Sequence, residues 1–243
     1  MSILPQWYRH SASAGNRFRE APDSFLWRYA LGNKETVNSK MATGSAVEGA
    51  LAVHLMGTPV EAATKVALES YDDSMAGEVG PERDDIPALV QMAADVVGPC
   101  GPFLTYQSVL KLDAGVHHGL RYPIVAYTDF GYPDFTLDTK ITWRRPSKPD
   151  FSHVCQMAVY SHLQGGKPQK IAYITPKGFA IYDIPPEDLE RGWRVMLATW
   201  KRIEVLDQRC RSPEEALALI PLNPDSFRWS SADMGKVMET WGV

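Results

Sequence analysis

Between Tyr122 and Trp143 the chain reads YPIVAYTDF, then GYPD, then FTLDTKITW, and the fold turns on this stretch. The outer segments, Tyr122–Phe130 and Phe135–Trp143, are short and rich in β-branched and aromatic residues, the side chains that suit a pleated surface. GYPD concentrates turn formers: glycine tolerates positive φ, proline presets φ, and aspartate bonds to nearby backbone. The stretch is predicted to be a β-hairpin. Centring its turn between Pro133 and Asp134 sets Asp129 directly opposite Asp138, with Cβ atoms about 4.5–5.5 Å apart. Two carboxylates that close repel, and a hard divalent cation with oxygen ligands is their natural companion. Lys140, two residues past Asp138, leaves the strand on the same face.

Asp134 is the rival first aspartate, since Pro133-Asp134 supplies a literal Pro-Asp pair. It lies on the same strand as Asp138 and about 13 Å away at ~3.3 Å per residue, too far to share one ion. Asp134 reads as a turn residue and Asp129 as the ligand.

Outward from the hairpin, residues before it read as helical. Residues 11–30 carry apolar and aromatic positions at helical spacing, and 45–56 place Val47, Ala50, Leu51, His54 and Leu55 on one stripe. VEAATKVALESY follows Pro59, which fits a first helical turn, and IPALVQMAADVV stops at Gly98-Pro99. LTYQSVLKL reads as a further strand. After the hairpin come a helix over 151–163 closed by Gly165-Gly166, a second hairpin of KIAYIT and FAIYDI, and a long helix from Pro185-Pro186 to about Gln208. One or two short helices complete the tail. The order predicts an α/β (α+β) fold: a central mixed sheet carrying the hairpin, flanked by helices. A single domain is expected, helical to about residue 100, sheet-bearing over 101–185, and helical again to residue 243.

Composition narrows the function classes. The 243 residues are 44% apolar and 22% charged, the make-up of an ordinary globular chain. MSILPQWYRH does not read as a signal peptide, and no window approaches the roughly 18 apolar residues of a membrane span. No membrane association and a cytoplasmic location are therefore expected. Cys100, Cys155 and Cys210 are far apart and unpaired by spacing, which argues against a disulfide framework or a four-cysteine metal site. The histidines show no HxxxH or HExxH pattern, and His117-His118 are adjacent. Thr43-Gly-Ser45 lacks the first glycine of a nucleophile elbow and the Gly-Lys of a P-loop. The net charge of −4 hides an asymmetry. Residues 61–95 hold nine acids against two bases, and residues 140–177 hold seven bases against one acid. That permits a local phosphate-binding face on an acidic protein, or simply a solvated surface.

Asp129, Asp138-Thr139-Lys140 and Gln156-Met-Ala-Val-Tyr160 together resemble the core of the PD-(D/E)xK nucleases. The likeness is nearest to the RecB-type and lambda-exonuclease-like phage and recombination enzymes, and it spans about residues 11–175. Glu48, in ATGSAVEG, matches the acidic residue those enzymes carry on an earlier helix; Ser45-x-x-Glu48 also reads as a capping box. Ser11-Ala-Ser13, Phe18, Pro22 and Tyr29 are similar to the opening helix of the group.

The resemblance implies a restriction-endonuclease-like core and a Mg²⁺-dependent DNA exonuclease, with Mn²⁺ able to substitute. Glu48, Asp129, Asp138 and the Thr139 carbonyl would hold metal, Lys140 would position the attacking water, and Gln156 and Tyr160 would make polar contacts. It also implies DNA as partner, allows a ring-shaped homo-oligomer and a single-strand annealing or recombination protein as partners, and would place a phage-derived chain in a bacterial cytoplasm. Trp143, Arg144 and Arg145 follow the catalytic strand as candidates for DNA contact or as an exposed basic end. Ser11 and Ser13 are further candidates for DNA contact, and Arg17, Arg19 and Arg28 for holding a terminal phosphate. Ala21 stands before Pro22 where cluster-bearing members have cysteine, so no iron–sulfur cluster is expected. Ile141 follows Lys140 where the group usually has threonine. A structure- or sequence-specific endonuclease, or a non-catalytic DNA-binding member, are the rival readings.

Overall fold

The structure, a computed structural model, describes residues 2–76, 78–114 and 118–243; His117 lies outside them. It is mixed α/β. Helices α1 (Ala12–Glu20), α2 (Pro22–Phe25), α3 (Ser39–Leu55), α4 (Val60–Met75) and α5 (Ile86–Val97) precede strands β1 (Thr105–Leu112), β2 (Ile124–Gly131) and β3 (Thr136–Ile141). Then follow α6 (Phe151–Leu163), β4 (Gln169–Thr175), β5 (Gly178–Asp183), α7 (Pro186–Arg209), α8 (Pro213–Leu219) and α9 (Met234–Trp241). The five strands lie in chain order across one sheet. β3 and β4 are parallel, Thr136 beside Gln169 through Ile141 beside Ile174, because α6 carries the chain back between them. The other pairs are antiparallel.

The two faces of the sheet belong to two cores. Ile171 and Tyr173 of β4 pack with α1, α6 and α7, whereas Ala172 and Ile174 pack with α3, α4 and α5. A strand covered on both faces needs apolar residues at consecutive positions, which is why QKIAYIT carries a near-continuous apolar run. β5, at the edge, alternates instead. Trp200 and Trp27 are the largest fully buried side chains.

The opening helical stretch is divided: Ala21 ends α1, Pro22 starts α2, and Leu26–Ala30 forms a π-helical turn. Proline cannot donate into a continuing helix. Two local boundaries differ from expectation, at the start of α3 and the end of β3. The helix read over 45–56 begins earlier, at Ser39, where Asn38 accepts the Met41 N–H at 3.0 Å. Ser45 and Glu48 are therefore mid-helix, and the capping box does not form. β3 ends at Ile141, so Trp143 lies beyond the strand.

Candidate active site

The hairpin pairs in the expected register: Phe130 faces Leu137 and Gly131 faces Thr136. The paired ladder then stops, just where Asp129 and Asp138 would meet. The Asp129 carboxylate takes over the vacated partner role, its Oδ2 accepting the Thr139 backbone N–H at 2.9 Å and lying 3.5 Å from the Thr139 hydroxyl. A side-chain oxygen in place of a strand carbonyl wedges β2 from β3 and opens a pocket at the fork.

Six elements furnish that pocket, of about 410 Å³. β2 and β3 give Asp129, Thr139 and Lys140; α3 gives Glu48; α6 gives Gln156 and Tyr160; β1 gives Gln107; and the start of α1 gives Ser11 and Ser13. Asp138 lies beneath, with no exposed surface. Gln156 Nε2 donates to Asp138 Oδ1 at 3.2 Å and to the Tyr160 hydroxyl at 2.5 Å. Lys140 Nζ stands 2.5 Å from Asp138 Oδ2, an ion pair outside good hydrogen-bond alignment, so that buried oxygen has no well-directed donor. Gln107 Nε2 donates to Glu48 Oε1 at 3.2 Å. α6 is anchored by its Asp150 cap and by Asn16 of α1, whose amide donates to the Ser152 carbonyl at 2.7 Å.

Crowded carboxylates in a half-enclosed pocket resist ionisation. Burial, then the Asp138 charge, hold the Asp129 carboxyl well above its ordinary range. Burial, then Asp138 despite the bond from Gln107, raises Glu48. Burial opposes the Lys140 ammonium, but Asp138, Asp129 and Glu48 outweigh it and keep the lysine charged. Burial with the same two aspartates raises Tyr160 well above its ordinary value, and burial with Glu48 pushes Tyr106 up to about 12. The site is a concentration of carboxyl groups around one cation.

The donor set suits a hard divalent ion: carboxylate oxygens from Asp129, Glu48 and Asp138, one of them buried without an aligned donor. Among the described residues no three acidic, histidine or cysteine side chains already stand as an ion cage. Lys140 fills the place beside Asp138 instead.

Not every sequence candidate reaches this pocket. Arg17 and Arg28 both bind Glu35: Arg17 Nη2 at 2.9 Å with a further bond to Ser24, and Arg28 Nη1 at 2.9 Å. Arg19 pairs with Glu20 at 3.2 Å. All three guanidiniums are engaged by acids of the fold, away from the pocket walls. Trp143 donates its indole N–H to Asp85 at 2.6 Å under Lys40, so its ring is held rather than presented. Arg144 and Arg145 are exposed, Arg145 reaching the Phe179 carbonyl at 3.4 Å. Of the basic run, Lys140 is bound to Asp138 and Lys170 to Asp183 at 2.5 Å, and Lys167 caps the Tyr132 carbonyl.

Two features lay outside the sequence reading. Gln107 has φ of +47°, a left-handed backbone unusual for glutamine within a strand, and this geometry accompanies its bond to Glu48. No local signal marks it. His118 and His162 bring their Nε2 atoms within 3.2 Å, with His162 stacked 3.6 Å from Trp193; a pairing so distant in sequence has no spacing to betray it.

No protein-family model and no curated protein matches the chain. Among solved structures, one described as the crystal structure of SSO0001 is similar at 14% identity, covering 85% of this chain and 95% of that one, with a TM-score of 0.35. A likeness that weak carries no weight for fold or function.

Proposed function

We propose that the chain is a Mg²⁺-dependent deoxyribonuclease of the PD-(D/E)xK type that hydrolyses phosphodiester bonds from DNA ends. The observation that carries the reading is the convergence of Asp129, Asp138, Lys140, Glu48 and Gln156 from four elements at the fork of one hairpin. Asp129, Glu48, Asp138 and the Thr139 carbonyl would hold the ion, with Mn²⁺ a substitute. A bound ion lowers the pKa of a water and offsets charge on the phosphate.

The chain's own residues do the rest. Lys140, kept protonated by the three carboxylates, directs an ammonium toward the attacking water or the developing negative charge. Gln156 holds Asp138 Oδ1 through its amide and is itself held by Tyr160, which leaves the buried Oδ2 turned toward Lys140. Ser11 and Ser13 offer hydroxyls at the N-terminus of α1, where unpaired backbone N–H groups favour an anion such as phosphate. The preference for ends comes from the family resemblance; an endonuclease would use the same groups.

Digestion of linear and covalently closed circular DNA, with Mg²⁺ or EDTA, separates these readings. Mg²⁺-dependent loss of linear DNA alone, abolished in Lys140→Ala, is the expected result. Cutting of circles moves the assignment to an endonuclease, and absence of metal-dependent turnover on both substrates overturns the enzymatic reading.

A further inference from the structure

Beside the catalytic pocket runs a second groove, lined by Trp7, Arg9, Tyr29, Lys111 and Tyr127 and sharing Ser11, Val125 and Tyr127 with the first. Its chemistry is the reverse of its neighbour's. No carboxylate among the described residues lines it, in a chain of net charge −4. Arg9 and Lys111 are exposed, and the Arg9 guanidinium donates to the Gln6 and Tyr8 carbonyls rather than to an acid. Trp7 and Tyr127 leave 60% and 61% of their surfaces open to water. Large aromatic rings add little to stability in that state, whereas bare ring faces beside cations are what a chain of unpaired bases and phosphates requires.

The sheet fixes how this surface meets the site. Tyr127 stands opposite Val109, and Val125 opposite Lys111. Along β2, residues 125, 127 and 129 share one face, so Tyr127 precedes Asp129 by one alternate position, about 6.6 Å. A base resting on Tyr127 would leave its neighbouring phosphate next to the Asp129 carboxylate. A duplex has no free base face to offer either ring.

We infer that the groove formed by Trp7, Arg9, Lys111 and Tyr127 binds single-stranded DNA and delivers it to the hairpin pocket, so that the strand being cut is unpaired where it enters. This rests on the nuclease reading and adds the form of the substrate. Trp7 and Tyr127 stack on bases; Arg9 and Lys111 contact phosphates.

The test is fluorescence anisotropy of one labelled oligonucleotide, single-stranded or annealed to its complement, in EDTA so that no metal-dependent cleavage intervenes. The proteins are wild type, Trp7→Ala, Trp7→Ala with Tyr127→Thr, and Arg9→Ala with Lys111→Ala. Stacking at the low end of its range contributes about 5-fold per base, so the double aromatic variant is expected to bind the single strand about 25-fold more weakly. Trp7→Ala, in a segment outside any helix or strand, should lose about 5-fold on its own. The basic variant should reduce the slope of log affinity against log salt by about 1.4, two phosphate contacts at ~0.7 each. Duplex affinity should hold in the aromatic variants. If wild type degrades linear DNA with Mg²⁺ yet the aromatic variants bind single strands as wild type does, the groove is not the strand path and the nuclease reading survives. Equal weakening toward duplex overturns the single-strand assignment. A wild-type protein that neither degrades DNA nor binds either oligonucleotide overturns both.

Discussion

Asp207, on α7, has no exposed side-chain surface and accepts five hydrogen bonds. Its Oδ1 takes the Ser2 hydroxyl at 2.6 Å and the backbone N–H groups of Ile3 and Leu4 at 2.8 and 3.0 Å. Its Oδ2 takes Arg121 Nη1 at 3.1 Å and the Tyr122 hydroxyl at 2.8 Å. One carboxylate thus fastens the N-terminal segment that carries Trp7 and Arg9 to the end of α7. Asp207→Ala leaves the Ile3 and Leu4 amides buried without acceptors, at about 1–3 kcal/mol each. Arg121, 49% exposed, and Ser2 recover water, so their loss adds little. The expected destabilisation is about 3–5 kcal/mol, the usual cost of removing one partner from a buried charged network. At ~2.1 cal/mol/K per residue, that lowers the melting temperature by about 6–10 °C for this chain. Calorimetry gives the shift, and hydrogen exchange at the Ile3 and Leu4 amides gives its location. Asp207→Asn keeps the Oδ1 bonds but turns a donor toward Arg121, so it should fall between wild type and alanine. A melting temperature within 2 °C of wild type for Asp207→Ala, with unchanged protection at Ile3 and Leu4, would refute the reasoning.

Three further outcomes are expected. Gln107→Gly should leave the melting temperature unchanged or about 2 °C higher, because glycine adopts φ of +47° without strain, while turnover drops roughly 10-fold as Glu48 loses its amide donor; a large loss of stability would mean the Glu48 contact, not the backbone, dominates there. Gly192→Ala should destabilise by about 1–2 kcal/mol and depress turnover, since a Cβ would lie 2.9 Å from Ala158 Cβ and 3.2 Å from the Val154 carbonyl, forcing α7 off the helix that carries Gln156; urea melts showing no loss would mean the helices absorb the methyl. His10 is fully buried against Glu204 at 2.9 Å, and burial outweighs that carboxylate to lower its pKa. Because the folded value is depressed, the neutral ring's stability is complete above the unfolded value of about 6.5 and is lost as pH falls below it, by up to ~1.4 kcal/mol per pH unit until the folded value is reached. His10→Gln should flatten urea stability across that acidic window, and an undiminished slope in that variant would assign the effect to another group.

What the sequence made legible was whatever is encoded within a few residues. The turn formers of GYPD, flanked by two β-rich runs, set the register that places Phe130 against Leu137, and Gln156 and Tyr160, one helical turn apart, do share a face over the site. The start of α3 is not legible in the sequence because two capping signals compete in that region. Asn38 and Ser45 are both good cap residues; Asn38 wins because Ala42, Thr43 and Ala46 are buried between α3 and its neighbours, which draws the helix back through them. The same extension is what puts Glu48 in the body of a helix, where its carboxylate is free to face the fork instead of its own backbone. Arg17 and Arg28 show the opposite limit. Their spacing on the opening segments suits a phosphate, but the acid they share, Glu35, comes from the loop after those segments. A cation's partner is a property of the folded chain, and no count of charges along the sequence distinguishes an arginine already paired with carboxylate from one still open to phosphate. Arg9 and Lys111 illustrate why that matters: separated by a hundred positions and unremarkable in sequence, they become a basic groove only because His10 bridges to Ile124 and thereby lays the N-terminal segment beside β2.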